Sequence, residues 1–292
     1  MFDIIFITLK ATVSIDAPRL ERRRRKRLAK MRAAGAETML QYRLANMRRR
    51  LMKIMLRLSP RILCARLRQK KFANIISLGA NCEVAFRFCL RWGFVDSSLF
   101  SWANVSDTVQ LAHALKDLDK FCSGPLALNA ARMWVCGNTG IRIHGRLKND
   151  PGLPPVDAAA EAADKADLLG RVAHLREKLR RYAADEASTL FIFRIPTSDV
   201  EAPGLADRLN DVENAIRGLD ARNWKLLLIA ERRAASLIPR GPNRYVRSVR
   251  AFNPTNDVTA AERGDPVGWH AVFTEFAPVR ILKKTKKFKF EE

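Results

Sequence analysis

The sequence predicts an α/β fold: a three-layer domain with a mainly parallel sheet, preceded by a basic helical arm. Continuous apolar runs at 189–195 and 225–230 are typical of strands that are buried on both faces of a parallel sheet. An amphipathic helix separates the two runs, with apolar residues at helical spacing: Leu205, Leu209, Val212, Ile216 and Leu219. This strand–helix–strand order is the signature of parallel pairing.

Charge divides the chain into three parts: an arm at 1–71, an α/β domain at 72–282 and a Lys-rich tail at 283–292. Residues 19–71 hold 20 basic residues against two acidic ones, whereas residues 72–282 hold 27 against 24. The net charge of +23 therefore belongs mainly to the ends of the chain. The like-charged block at 22–27 is typical of a solvated segment. Translation from Met31 or Met39 would leave that block out of the protein.

The arm also carries an apolar helical stripe, formed by Leu40, Leu44, Met47, Leu51, Ile54 and Leu58. Ser59 and Pro60 are expected to end or kink this helix. A basic amphipathic helix can pack on the main domain, lie on an anionic membrane surface through residues 40–58, pair with a partner helix, or bind nucleic acid electrostatically. These alternatives remain open from the sequence.

The α/β domain begins with a predicted strand at 74–78 and a helix at 83–92, whose inward residues are Val84, Phe88 and Cys89. A second helix is predicted at 107–118, with Val109, Ala112 and Leu115 on its apolar face. Glycines interrupt the strand-like alternation at 133–143, which indicates a hairpin or bulge. The remaining predicted elements are a loop at 151–155, a long helix at 158–182, a strand at 245–252 and a helix at 267–276.

The strongest functional signal is the segment 75–86, in which a strand ends at Gly79 and a helix opens at Cys82. A cysteine at a helix N-terminus is favoured as a thiolate by the helix dipole and the unpaired N–H groups. The N–H groups around Gly79 and Asn81 could also hold an oxyanion. One segment thus offers a nucleophile and an anion site, while the other cysteines are expected to be structural.

Four histidines are candidates for the base, and His144 leads because it ends a strand-like run. His270 follows Trp269 near a helix start and is an accessory candidate, whereas the two others lie inside amphipathic helices. Arg194 ends the apolar strand, where it could clamp an anionic substrate group, cap the strand or form an ion pair. Scattered histidines and cysteines predict no metal site, and no phosphate loop or other cofactor motif is present.

The run Ser77-Leu78-Gly79-Ala80-Asn81-Cys82, followed by Leu99-Phe100-Ser101-Trp102, resembles a bacterial family catalogued as papain-like cysteine peptidases of unknown function. The resemblance covers roughly residues 74–276, including a late box with Asp265 and Trp269. It implies Cys82 as nucleophile and His144 as its partner. Ser101 and Gly145 stand where the family carries aspartates, which implies weakened or lost activity. More distantly the order of elements resembles GSCFA and SGNH-like hydrolases, although Asp265 and His270 do not have their D-x-x-H spacing.

Together these features predict a cysteine-dependent hydrolase, either a peptidase by resemblance or an esterase or acyltransferase. The expected substrate is an unidentified acyl or peptide group, with an ester or amide on a cell-surface glycan as one guess. The alternative is a non-catalytic or degenerate binding domain that the basic arm docks on a membrane or anionic polymer. Five cysteines without a pairing pattern and no long apolar run favour the cytoplasm, or a peripheral site at the membrane.

Overall fold

The computed structural model describes residues 47, 59–80, 82–92, 97–147, 156–252 and 264–279. The chain divides into two compact units, Met1–Ser59 and Pro60–Glu292. Within the first unit only Met47, which is helical and exposed, and Ser59 are described. The rest of the predicted stripe at 40–58, the tail at 283–292 and the loop at 151–155 lie outside the described residues. No helix within the described ranges combines the length and apolar character that a bilayer span requires.

The second unit contains eight described helices: α1 (Pro60–Leu67), α2 (Glu83–Trp92), α3 (Thr108–Lys116), α4 (Ala158–Ala184), α5 (Thr197–Glu201), α6 (Leu205–Arg217), α7 (Arg232–Ala235) and α8 (Pro266–Glu275). Its described strands are β1 (Lys70–Phe72), β2 (Asn74–Ser77), β3 (Ala103–Asn104), β4 (Leu126–Leu128), β5 (Met133–Cys136), β6 (Arg142–His144), β7 (Thr189–Arg194), β8 (Trp224–Glu231), β9 (Arg244–Val249) and β10 (Phe276–Pro278).

A four-stranded parallel sheet with the order β2-β7-β8-β9 forms the centre of this unit. Alternate residues of β7 point to opposite faces, as the pleat requires. Leu190 and Ile192 pack with α2 and α8, whereas Phe191 and Phe193 pack with α4 and α6. Helices therefore cover both faces of the sheet, and the predicted α/β fold class is confirmed.

A second sheet is antiparallel and has the order β3-β6-β5-β4. Its four strands all lie between α2 and α4 in the chain, and α3 separates β3 from the other three. β5 and β6 form the predicted hairpin, with Met133 opposite His144 and Val135 opposite Arg142. A parallel pair of β1 and β10 joins the two ends of the unit. β3 of this small sheet lies beside the turn that follows β2, since a Cβ on Gly79 would lie 3.4 Å from Ala103 O.

One local prediction is wrong. Val109 is 57% exposed, because the buried face of α3 is formed by Leu111, Ala114 and Leu115. Ser59 is not helical and Pro60 is the first residue of α1, a position where its missing N–H leaves no bond unmade, while the residues on which the predicted end of the preceding helix depends lie outside the described ones. Residues 60–71, which charge alone places in the arm, thus belong to the second unit.

Candidate functional site

Cys82 lies at the carboxyl end of β2 and at the start of α2. Leu78 N–H donates to Ile192 O at 2.7 Å, which continues the pairing of β2 with β7 up to the turn. Phe86 N–H donates to Cys82 O at 3.0 Å, so the carbonyl of Cys82 accepts the first bond of the helix. The carboxyl edge of a parallel sheet is where α/β proteins bind ligands. Cys82 therefore has the position that the sequence predicts.

The turn before Cys82 has an unusual backbone, because Gly79 (φ +92°) and Ala80 (φ +79°) are both left-handed. A Cβ on Gly79 would lie 2.9 Å from Val105 Cγ2 and 3.2 Å from Phe100 O, so only glycine fits there without movement. A left-handed alanine costs about 1–2 kcal/mol and is retained only where surrounding contacts fix it. Asn81, the other predicted turn residue, lies outside the described residues.

Asn104 on β3 supplies one of the contacts that fix this turn. With its side-chain amide oriented so that the nitrogen faces Ala80 O, the orientation that satisfies both neighbours, Asn104 donates to Ala80 O at 2.9 Å and accepts from Arg142 Nη2 at 3.0 Å. Asn104 thereby joins the nucleophile turn to β6. Sequence reasoning missed this residue because nothing in its local pattern marks it.

His144 lies on the same face of the small sheet as Asn104 and Arg142. His144 N–H donates to Trp102 O at 3.1 Å, and Asn104 is paired with Arg142. Because residues two apart in a strand share a face, Trp102, Asn104, Arg142 and His144 all project from one face. Asn104 contacts Ala80 from the same face of the small sheet that carries His144.

The pKa values of Cys82 and His144 are both shifted by burial, and that of Cys82 moves against the thiolate that the sequence predicts. Burial raises the pKa of the half-buried Cys82 thiol to about 11, outweighing a hydrogen bond from its own backbone N–H. The expected resting thiolate is therefore wrong, because loss of solvent dominates over the favourable helix start. Burial also lowers the pKa of His144 below 6.5. At neutral pH the site thus holds a neutral thiol and a neutral imidazole, and no hydrogen bond joins the described Cys82 Sγ to His144 or His270.

Gly145, which stands where the resembling family has an aspartate, is required by a different carboxylate. A Cβ on Gly145 would lie 2.1 Å from Asp164 Oδ2, so the Asp164 side chain already fills that space. Asp164, from α4, accepts from Trp134 Nε1 at 2.7 Å and from Arg146 N–H at 2.6 Å. It holds the segment that follows His144. Sequence reasoning missed Asp164 because it reads as one of many charges on a long helix.

Ser101, the other position at which the resembling family has an aspartate, also has a local structural role. Its buried hydroxyl accepts from Ser98 N–H at 2.9 Å and lies 2.9 Å from Ser98 Oγ. Ser98 Oγ donates its proton to Ser77 O at 2.6 Å, so Ser101 must donate in the second contact. An ionised aspartate has no proton to give there. The three serines therefore connect the end of β2 to the turn before Trp102, whose Nε1 donates to Ser97 Oγ at 3.3 Å.

Arg194 belongs to a buried ionic group next to Cys82. Glu83 accepts from Arg87 Nε and Nη2 at 3.3 and 3.2 Å, and its other oxygen lies 3.5 Å from Arg194 Nε. The side chains of Glu83, Arg87 and Arg194 are 5%, 3% and 16% exposed. Arg194 also stacks on Phe252, 4.0 Å from the ring centre. The Arg194 guanidinium thus holds Glu83 at the start of α2. Of the roles predicted for Arg194, this contact favours the ion pair over the clamp for an anionic substrate group.

Asp265 and His270, the last two candidates, lie on α8. Asp265 caps the helix, accepting from Gly268 N–H at 2.9 Å, and it also accepts from Arg250 N–H at 2.7 Å and pairs with Arg61. These bonds assign it a structural role. Burial and the charges of Arg91 and Arg66 lower the pKa of His270 to about 4. His270 therefore faces two cations, which makes it a poor proton acceptor.

Behind the turn the protein is tightly packed. The cavity bordered by Ser77, Val84, Phe88 and Ser101 measures about 20 Å³, which is room for about one water molecule. Among the described residues, no cluster of three His, Cys, Asp or Glu side chains could hold a metal ion.

The site thus consists of Cys82 and the turn at Gly79 and Ala80, which Asn104 links to Arg142 on β6, the strand that also carries His144. It assigns Ser101, Arg194 and Asp265 to the support of that arrangement. No family model, curated protein or solved structure matches this chain. The site must therefore be interpreted from its own geometry and chemistry.

Proposed function

We propose that this protein is a cysteine-dependent hydrolase or acyltransferase with Cys82 as its nucleophile. The observation that carries the proposal is the link between the Cys82 turn and the strand of His144, made by Asn104 through Ala80 O and Arg142. It combines a thiol at a helix start, at the carboxyl edge of a parallel sheet, with an imidazole on the adjoining face. That combination of positions suits nucleophilic catalysis.

In the proposed reaction, His144 accepts the proton of Cys82 as the sulfur attacks the carbonyl carbon of an ester or amide. The carbonyl oxygen becomes an oxyanion, which backbone N–H groups at the start of α2 would stabilise. The protonated His144 then gives its proton to the leaving alcohol or amine, and a thioester remains on Cys82. Attack by water releases the acid, whereas attack by another alcohol or amine transfers the acyl group.

The ionisation states favour general-base activation over a preformed ion pair. With a pKa of about 11, only about one Cys82 in ten thousand is a thiolate at pH 7. The neutral His144 is in the correct form to accept the proton at that pH. Proton transfer and carbon–sulfur bond formation must therefore occur together.

The substrate class follows from the same chemistry, namely an acyl group presented at the surface. A peptide bond, as the family resemblance implies, and an ester or amide on a cell-surface glycan both belong to this class. Cytoplasmic location is also part of the proposal, since the described cysteines Cys64, Cys82, Cys122 and Cys136 are free thiols. Docking of residues 40–58 on an anionic membrane would hold the protein at the membrane surface.

The test is acylation by p-nitrophenyl acetate, read by intact mass and by peptide mapping. We expect an acetyl adduct on Cys82 that is absent from Cys82→Ala. Loss of a general base typically costs 10²–10⁴-fold in rate, so His144→Gln should slow acylation by about 10²-fold or more. The rate for the native chain should fall as the pH drops below the pKa of His144, because the protonated ring cannot accept a proton.

Two matched variants complete the test. Cys64→Ala removes an exposed thiol and should leave acylation of Cys82 unchanged, as should His270→Gln. Equal acylation in Cys82→Ala and the native chain would overturn the proposal. Absence of any Cys82 adduct would overturn it as well, and would favour the binding-domain alternative, in which the buried, protonated thiol has no catalytic use.

A further inference from the structure

The central sheet has an unpaired edge at β9. The strand order β2-β7-β8-β9 leaves β9 with β8 as its only neighbouring strand among the described residues. Leu226 N–H donates to Asn243 O at 2.8 Å, so the backbone groups of the odd-numbered residues at 243–249 point towards β8. The backbone groups of Arg244, Val246 and Ser248 therefore point away from the sheet. A row of such groups is a template for pairing with another chain.

Two charged side chains cover the carboxyl half of this edge. Ser248 O accepts from Arg61 Nη2 of α1 at 3.1 Å, and Arg250 N–H donates to Asp265 Oδ2, the cap of α8, at 2.7 Å. Arg61 and Asp265 also pair with each other at 3.3 Å. Covering an edge with other parts of the chain prevents the addition of a strand. The part of the edge that remains available is therefore the first half of β9.

Around Val246 the edge is open. Val246 N–H and Arg244 O make no hydrogen bond within the part of the chain that the structure describes. Arg244 N–H donates to Gly241 O at 3.1 Å, which closes the turn before the strand. Val246 O accepts from Arg247 Nη1 at 2.7 Å and keeps a second lone pair. This short stretch thus offers one backbone donor and two acceptors to a guest chain.

A groove of about 630 Å³ runs along the open edge. The five consecutive residues 244–248 line one side of it, so the groove follows the edge of the strand rather than one face of the sheet. Residues of the 235–241 segment line the other side, where Ile238 is buried with the core and Arg240 is exposed. The strand length of about 17 Å matches an extended guest of about five residues.

The groove is positively charged. Residues 232–250 contain six arginines and no acidic residue. Arg244 and Arg247 pair with Glu213 and Glu275, which are supplied by α6 and α8. Arg240 lines the groove and forms no ion pair among the described residues. The charge favours an acidic guest, and it opposes pairing with a second copy of this chain, whose edge would bring the same arginines together.

We propose that the open edge of β9 and its groove bind an extended acidic peptide segment of a partner protein, which adds to the sheet as a further strand. Backbone hydrogen bonds to Val246 and Arg244 supply the pairing, while alternate side chains of the guest meet Ile238 and Arg240 and supply the selectivity. β9 and β2 are the two outer strands of the sheet, about 14 Å apart. The proposal is thus independent of the catalytic function at Cys82.

The test is binding of a fluorescein-labelled heptapeptide of alternating glutamate and valine to the full chain, measured by fluorescence anisotropy. A second peptide has proline in place of the central valine, which keeps the charge but removes a backbone N–H and hinders strand pairing. We expect the proline peptide to bind at least about tenfold more weakly. A peptide of alternating lysine and valine should not bind. Equal affinity for the valine and proline peptides overturns the proposal, because attraction of charge alone would then explain the binding.

Variants of the protein locate the binding. Val246→Pro removes the outward N–H without breaking a bond to β8, since edge strands accept proline at such positions, and it should weaken binding about tenfold. Arg240→Glu should also weaken binding, whereas Lys116→Glu, at an exposed lysine of α3 outside the groove, should not.

Three outcomes contradict the proposal. The first is no binding of the acidic peptide to the native chain. The second is equal weakening by Arg240→Glu and Lys116→Glu, which would show a general effect of net charge. The third is self-association of the native chain, measured by sedimentation, that Val246→Pro abolishes, because a second copy would then occupy the edge. The comparison of peptides on the native chain stands even if Val246→Pro is poorly folded.

Discussion

Replacing Glu83 by Gln should cost about 3–5 kcal/mol of unfolding free energy, because it removes one member of a buried ionic group. The Glu83 carboxylate lies 3.2 Å from Arg87 Nη2 and 3.5 Å from Arg194 Nε, and it is 5% exposed. Glutamine keeps the length of the side chain but not its charge. Two largely buried guanidinium groups then lose a counter-charge that solvent cannot replace.

A smaller contribution must be separated from this one. Glu83 also lies in the first turn of α2, where an acidic residue interacts favourably with the helix dipole by about 0.3–1 kcal/mol. Asp207 provides a matched control, because it is an exposed acidic residue in the first turn of α6. Asp207→Asn should therefore lose only the dipole contribution. The difference between the two variants measures the cost of leaving the buried cations without Glu83.

The assay is urea-induced unfolding followed by circular dichroism and tryptophan fluorescence. A second variant, Arg194→Gln in the Glu83→Gln background, removes one of the orphaned charges and should recover part of the lost stability. If Glu83→Gln costs no more than Asp207→Asn, the reasoning is refuted, because the buried cations would then be compensated by other groups. Failure of the double variant to recover stability would refute the assignment of Arg194 as a cation that depends on Glu83.

Two further predictions concern the backbone and pH. Gly79→Ala should destabilise the protein by about 1–3 kcal/mol, because Gly79 has a left-handed φ and its added Cβ would approach Val105 and Phe100 O. Gly170→Ala places its Cβ where no atom lies within 4 Å, so it should instead stabilise α4 by about 0.5–1 kcal/mol. Urea unfolding checks both, and equal effects would contradict the assigned strain. The folded-state pKa of His270, about 4, lies below the ordinary 6.5, so its contribution to stability is complete above pH 6.5 and is lost as the pH falls towards 4. His270→Gln should flatten that part of the stability–pH curve, and an unchanged slope would contradict the shift.

Local patterns predicted much of the fold because they reflect local physics. The helix at 83–92 coincides with α2, and the apolar runs at 189–195 and 225–230 correspond to β7 and β8 within a residue or so. The hairpin of β5 and β6 was predicted from its glycines. Small neighbouring strands were missed, since β1, β3 and β10 contain two or three residues and have no periodicity to recognise.

Contacts between distant residues limited what could be predicted of the site. Cys122 N–H donates to Cys136 Sγ at 3.2 Å, yet their spacing in the chain indicates no pairing. The absence of aspartates at 101 and 145 implied a loss of function, but the structure gives each position a local reason. Ser101 must donate to Ser98 Oγ, and Gly145 must leave room for Asp164. The residue at each of these two positions can therefore be interpreted only together with the side chains that surround it.

The pKa of Cys82 could not be predicted from the sequence either, because it depends on burial in the folded protein. Its place at a helix start follows from the sequence and favours a thiolate by a small, local interaction. Its burial follows from how the Gly79 turn packs against residues 100–105, and that larger effect raises the pKa to about 11. The balance leaves Cys82 a neutral thiol at neutral pH, and burial likewise lowers the pKa of His144. In the proposed reaction Cys82 must therefore lose its proton as it attacks, because neither the thiol nor the imidazole is charged beforehand.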